Sequence, residues 1–348
     1  MHRQSNYFAI YLWIAVLLCG TTILSSCNRS RTTRVENFPR NEVLKGTSVS
    51  KSQGMYTAYA VAYYAGNYLF TQKDSSFFCV TDTGFNTPHY LAIKGHGNQE
   101  WMAPLVTSQY EGKKDDARFY VLERPEHTLY TLSFQGNGKR KQVEDFKKCK
   151  VITDIRYVFK TADNEYCGAL DYDSCNFFTY NSKSGKYKIF NHPTECQLNV
   201  EGQGLQQLSQ TLACYNSKRK LVAISYFSFP MIVIRNTDGT IKKCIQIGSK
   251  WPRYNKKNLE DTHEYFLDIC SDDKYIYALY DDPRKEKEVS VLVFNWDAQP
   301  VARFHIARAI AFTVNSDAHT IVAINEDDSH GQLTIYKFLL PSNASLQK

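Results

Sequence analysis

Asp154, His263 and Arg308 stand at the same place in three segments of the chain, each just ahead of an apolar run. A carboxylate, an imidazole and a guanidinium together can recognise a polar ligand by charge and hydrogen bonding. The imidazole would make that recognition depend on pH, since histidine titrates near neutrality. The same place in the other segments holds Tyr56, Thr107 and Leu208. A set that mixes one acid with two cationic side chains suits a metal ion poorly, and it implies no cofactor. A second cluster lies in SKWPRYNKKN, where Trp251, Arg253 and Tyr254 are residue types that concentrate in binding interfaces. The alternative for Trp251 is packing over the edge of a neighbouring strand. Other stretches carry less. HEYFLD at His263 has no second ligand at helical spacing, and NEDDSHG (325–331) has the wrong ligand spacing for calcium. DDPRKEKE (281–288) reads as a charged hairpin tip. The chain contains no His-Glu-x-x-His, no Gly-x-Ser-x-Gly, no phosphate-binding P-loop and no EF-hand loop. Gly95-His96-Gly97 is followed by no helical pattern, so it reads as a structural turn rather than a phosphate cradle.

The other reactive position is Cys27. It ends Leu24-Ser25-Ser26-Cys27, after a basic start (His2, Arg3) and an apolar run from Phe8 to Ile23. That run is short for a bilayer span and suits an export signal. Small residues leading into a cysteine match the bacterial lipobox, in which the signal is removed and the cysteine acylated. Residues 1–26 are therefore read as a signal peptide, Cys27 as the lipid-bearing residue and 27–37 as a polar tether with Arg29, Arg31 and Arg34. The stretch 28–35 has no acidic run of the kind that marks surface-exported lipoproteins. The expected location is thus the periplasmic face of the outer membrane, the protein being held in the lipid bilayer through Cys27. A single acyl chain binds only marginally, so stable attachment needs the full lipoprotein modification.

What must position the candidate ligand groups is a repeat. Six short apolar runs recur at intervals of about 50 residues: NYLFTQ, RFYVLE, EYCGALD, KLVAISY, YIYALYDD and TIVAINED. Each is preceded by one strand-like run and followed by another, with Asp, Asn and Gly in the turns. No strong amphipathic helix pattern competes. The period suits four-stranded blades, and the chain is read as an all-β, six-bladed β-propeller over 38–340. The last repeat lacks a fourth strand, so Glu42–Ser50 is expected to supply it and close the ring. The 24 Tyr and 20 Phe favour strands, and only 17 Gly and 10 Pro argue against disorder. The net charge of +7 is spread among interleaved acids and is no nucleic-acid footprint. Of ten cysteines, Cys19 leaves with the signal. Cys79, Cys214, Cys244 and Cys270 sit in apolar runs and read as buried small hydrophobes. Cys167 and Cys175 flank a hairpin and are the best candidate for a disulfide.

KGHGNQEWMAP (94–104), DKYIYALYDD and VLVFNWDAQPVARFHI together resemble the TolB-like six-bladed propeller lipoproteins of the Bacteroidota. Gly95, Gly97 and Glu100 are retained, whereas Asn98 stands where that family usually has proline. The resemblance implies the fold and a lipid anchor at Cys27, and no reaction. Two functions follow as expectations. The favoured one is a non-catalytic envelope module that binds or scaffolds a protein, peptide or glycan. The alternative is a metal-dependent hydrolase or lyase with its site in the propeller channel, which bound metal in the purified protein would reveal.

Overall fold

The computed structural model describes residues 31–49, 57–86, 88–97, 99–113, 116–135, 138–149, 155–171, 175–193, 208–254, 262–285, 288–327 and 332–341. Three short N-terminal strands, β1 (Thr32–Val35), β2 (Asn41–Val43) and β3 (Gly46–Ser48), precede the repeats. Blade 1 comprises β4 (Ala58–Tyr64), β5 (Asn67–Gln72), β6 (Ser76–Asp82) and β7 (His89–Ile93). Blade 2 comprises β8 (Pro104–Glu111), β9 (Arg118–Glu123), β10 (Thr128–Ser133) and β11 (Lys141–Asp145). Blade 3 holds β12 (Ile155–Ala162), β13 (Glu165–Leu170), β14 (Cys175–Asn181) and β15 (Lys186–Asn191). Blade 4 holds β16 (Thr211–Asn216), β17 (Leu221–Tyr226), β18 (Met231–Asn236) and β19 (Ile241–Ile247). Blade 5 holds β20 (Phe266–Ser271), β21 (Tyr275–Tyr280), β22 (Glu288–Asn295) and β23 (Pro300–Ala307). Blade 6 has β24 (Ala311–Asn315), β25 (Thr320–Asp327) and β26 (Gln332–Leu339), with β3 as its outer strand.

The second strand of each blade is apolar through its middle because both of its faces are covered there. Leu221–Tyr226 is buried at every position, and Tyr68, Leu69 and Phe70 expose 1% or less. Those faces build six apolar seams between neighbouring blades, from Phe78–Phe119 in the first pair to Ala58–Ala311 between the first blade and the last. The ring thus closes on itself through side chains as well as through β3.

The closing strand is where the sequence places it, but shorter. Gly46–Ser48 pairs antiparallel with Phe338–Tyr336. The rest of the N-terminal segment does more than expected. Asn41–Val43 adds in parallel to β23 of blade 5, and Thr32–Val35 adds in parallel to β19 of blade 4. The segment read as a tether to residue 37 is therefore docked from Thr32 onward, with Val35 only 3% exposed in the seam between blades 4 and 5. The reason is backbone chemistry. The outer edges of β19 and β23 carry N–H and C=O groups that any extended segment can satisfy, whatever its side chains.

The Gly95–Gly97 turn is structural, as read. A Cβ on Gly95 would lie 1.9 Å from the Glu100 carboxylate, which reaches back to accept from the Gly97 amide at 2.7 Å. The proposed Cys167–Cys175 disulfide is absent. The hairpin sets Cys167 opposite Thr179 and Cys175 opposite Asn191, too far along the strands for a bond between the sulfurs.

Candidate functional site

The inner strands β4, β8, β12, β16, β20 and β24 all run the same way through the ring. The channel therefore has a leading mouth, where they begin, and a trailing mouth, where they end. His263 and Arg308 lie on the leading side of blade 5, and one acid joins them. Arg308 donates to the Asp281 carboxylate at 3.1 Å, and His263 Nε2 donates to the Asp281 carbonyl at 2.9 Å. The imidazole also stands edge-on to Tyr265, 4.8 Å between centroids. Asp281 is buried just beyond β21, whereas Arg308 is half exposed. Its neighbour Asp282 accepts from Arg284 at 2.7 and 2.8 Å and from Arg303 at 3.4 Å. The Arg284 hydrogen bonds hold its carboxyl well below the usual carboxylate range. This cluster is a charge-balanced latch that ties the start of β20 and the end of β23 to the β21–β22 turn.

Among the described residues, Leu208 and Thr107 of the expected ring do not join it. Asp154 and Tyr56 lie outside the described residues, as does Cys27. Leu208 is fully buried against Tyr226, Phe229 and Met231. Thr107 is not ahead of an inner strand but inside β8, and its displacement has a visible cause. The pairing of β8 with β9 breaks between Val106 and Tyr110, so the repeat spacing slips there. The released residues reach across the channel. Ser108 Oγ accepts from the Tyr215 amide of blade 4 at 3.2 Å. Gln109 clamps Lys160 of blade 3, donating to its carbonyl at 2.8 Å and accepting from its amide at 2.9 Å. Trp251 and Tyr254 turn inward on blade 4. Trp251 stacks on Phe229 at 5.2 Å, and Tyr254 meets the same ring edge-on while donating to the Ser228 carbonyl at 2.7 Å. Arg253 is the exposed member of that loop.

The trailing mouth opens into a cavity of about 670 Å³, bounded by the ends of five inner strands. Tyr110 presents its ring, 47% exposed and 5.3 Å from Tyr64. Asp317 of the neighbouring blade 6 lies beside Tyr63. Burial first, and then the Asp317 charge, push its phenol up to about 12, so it stays a donor at any physiological pH. Asp272 is fixed by the Tyr277 hydroxyl at 2.9 Å and the Lys274 and Tyr275 amides at 2.7 Å. Asn216 of blade 4 donates to the Asp272 and Asp273 carbonyls at 3.1 and 3.2 Å, and Lys218 bridges to the Asp273 carboxylate. The result is a rim of aromatic faces and oriented carboxylates on a rigid base. The signal was present in the sequence. YY, YE, YN, SD and SD close the inner strands at Tyr63, Tyr110, Tyr215, Ser271 and Ser316.

Inside the channel, Asp268 on β20 accepts from the Ile269 amide at 2.8 Å and from the Phe312 amide of blade 6 at 3.0 Å. Desolvation outweighs these two bonds and raises its carboxyl to about 7. Among the described residues no group of three or more His, Cys, Asp or Glu side chains is placed to hold a metal ion. No helix among them is long and apolar enough to cross a membrane.

No protein-family model matches the chain, and no curated protein matches it. Two of the solved structures similar to it cover most of the chain. One is a member of the DUF4221 family from Bacteroides vulgatus, 13% identical, covering 85% of this chain and 96% of its own, with a TM-score of 0.56. The other is a protein of Bacteroides fragilis described as exported, 10% identical, covering 88% of this chain and 99% of its own, with a TM-score of 0.54. At such identities the likeness is one of fold. Neither is described as TolB-like.

Proposed function

We propose that the protein is an exported, lipid-anchored propeller that acts as a non-catalytic binding module, taking a glycan or a peptide segment at its trailing mouth. The observation that carries this reading is the cavity itself. Its aromatic rings offer apolar faces to sugar or peptide C–H groups, Asp272 is a pre-oriented acceptor for hydroxyl or amide donors, and Asp317 adds a second carboxylate to the lining. Pre-orientation matters because side chains already held in place lose little entropy on binding. The leading-side cluster is assigned a structural role, since Asp281 and Asp282 already hold their cations. The lipobox ending at Cys27 supports placement in the envelope, on the periplasmic face of the outer membrane. The likeness to an exported protein of the same architecture agrees with that placement.

The test is an array of envelope glycans and peptides probed with the labelled protein. A ligand found there should bind at least about tenfold more weakly to Tyr110→Ala, the loss expected for a central aromatic contact. The melting temperature should not change. Equal binding by Tyr110→Ala and by Asp317→Ala would remove the trailing mouth as the site.

A further inference from the structure

The parallel addition of β1 to β19 fixes the direction from which the chain reaches the propeller. The Arg31 carbonyl accepts from the Cys244 amide at 2.9 Å, and Thr32, Thr33, Arg34 and Val35 then climb beside Cys244 to Ile247 toward the leading face. The described chain therefore enters β1 at its trailing end, beside Cys244 of blade 4. Five Cα steps separate Cys27 from Thr32. Even fully extended they span at most roughly 18 Å, so an acyl group on Cys27 would hold the outer edge of blade 4 close to the bilayer.

The trailing corner beside that approach is basic. Lys183, Lys186 and Lys188 stand exposed on the β14–β15 turn and on β15, Arg219 is exposed on the β16–β17 turn, and Lys243 lies at the start of β19. The two patches are continuous. A Cβ on Gly239, in the β18–β19 turn, would meet the Phe190 ring of β15 at 2.2 Å, so blade 4 abuts the outer strand of blade 3 there. Asp163, Glu165 and Asp238 are the acids nearby, while Asp273 and Asp297 are already bridged to Lys218 and Lys242. On the leading side of blade 5, by contrast, Asp281 and Asp282 are matched by Arg308, Arg284 and Arg303.

We infer that this trailing corner of blades 3 and 4 is a docking surface for an anionic bilayer, which it meets through lipid phosphates. The propeller then sits with its trailing mouth toward the membrane and its leading mouth away. The direction rests on the acylation of Cys27 proposed above, and the charge argument stands apart from it. A basic side chain near an anionic leaflet strengthens binding about fivefold, and the effect fades within a Debye length.

The experiment reconstitutes the full-length protein, as made by its cells, into phosphatidylglycerol–phosphatidylcholine vesicles and into pure phosphatidylcholine vesicles. Amide hydrogen exchange is then read by mass spectrometry, and the mass of the N-terminal peptide reports acylation. Exchange at 182–188 and 217–220 should slow on the anionic vesicles only, recover in high salt, and leave 281–285 unchanged. The triple variant Lys183→Glu, Lys186→Glu, Lys188→Glu should abolish that protection with an unchanged melting temperature. Protection at 281–285 instead, or none at all with Cys27 acylated, overturns the inference. If Cys27 carries no acyl group, the anchor fails and flotation of the same protein decides the docking surface. Salt-sensitive flotation, weakened roughly a hundredfold in the triple variant, upholds it, and no flotation overturns it.

Discussion

Among the described residues, blades 4, 5 and 6 each carry an added N-terminal strand on their outer edge, whereas blades 1, 2 and 3 do not. On the clad side, β1, β2 and β3 cross three successive blades and satisfy the edges of β19, β23 and β26. Side chains reinforce the backbone there: Val35 enters the seam of blades 4 and 5, and Asn41 lies 2.8 Å from His305 Nε2. On the bare side the edges are protected differently. β15 presents Lys186 and Lys188, β11 is rich in charge, and just past β7 an isolated bridge joins Lys94 and Trp101. The lesson is that a ring with equivalent seams need not be equally stable all round. A strap raises the cost of opening the blades it crosses and leaves the others to their own packing.

The largest effect should come from removing the strap. Deleting residues 32–49 strips the outer strand from blade 6 and the added strands from blades 4 and 5. The expected result is loss of the single cooperative unfolding transition, with amides of β19, β23 and β26 exchanging at least as fast as those of β7, β11 and β15. A melt like the parent's would mean that the strap is decoration and that the two sides do not differ.

The next effect tests the bare side. Gly168 lies where blade 3 is tightest, and a Cβ there would sit 1.9 Å from the Tyr157 carbonyl and 2.9 Å from the Phe178 ring. Gly168→Ala should cost about 2 kcal/mol in urea unfolding, as overpacking does, because backbone must move. Early loss of protection confined to blades 2 and 3 would sharpen the contrast, and a uniform loss around the ring would dissolve it.

A smaller effect concerns the clad side and pH. Asp268 joins blades 5 and 6, and its carboxyl titrates near 7 when folded against about 4 when unfolded. Its folded form thus holds a proton that the unfolded chain releases. The stabilisation is complete below about pH 4 and is lost as pH rises to 7, with a slope of at most about 1.4 kcal/mol per pH unit. Asp268→Asn should flatten that slope, read as the difference between variant and parent in chemical denaturation. Parallel curves for the two proteins would count against a protonated Asp268. The smallest effect is expected at Lys218, whose pairing with Asp273 bridges blades 4 and 5 in open solvent. Lys218→Ala should leave the melting temperature where it is, because water and salt screen exposed pairs. A clear drop would show that the clad side depends on surface charge as well as on strand addition.

Most of the candidate site was hidden for reasons that particular residues make plain. The repeat spacing places His263 and Arg308 alike ahead of β20 and β24, but it does not show that Asp281 lies between them. That acid follows β21 rather than preceding an inner strand, and nothing in local periodicity links the two. The repeat spacing misplaces Thr107 because the break in β8 inserts residues that pair with other blades. Trp251 and Tyr254 have interface character in composition, yet Phe229 gives both rings an apolar surface nearer to hand.

What the chain determined by itself is the local alternation of strands, their number, the repeat and the closing strand. Each follows from side-chain burial and turn chemistry, which are written residue by residue. The folded ring alone decided the rest: the course of Thr32–Val43 along blades 4 and 5, the reach of Ser108 and Gln109 across the channel, and the assembly of Tyr63, Tyr110 and Asp317 at one mouth. Strand addition is made by backbone groups that every residue carries, so a polar Thr-Thr-Arg-Val can take that edge without announcing it. The mouth is built from residues far apart in the chain, and closing the ring is what brings them together.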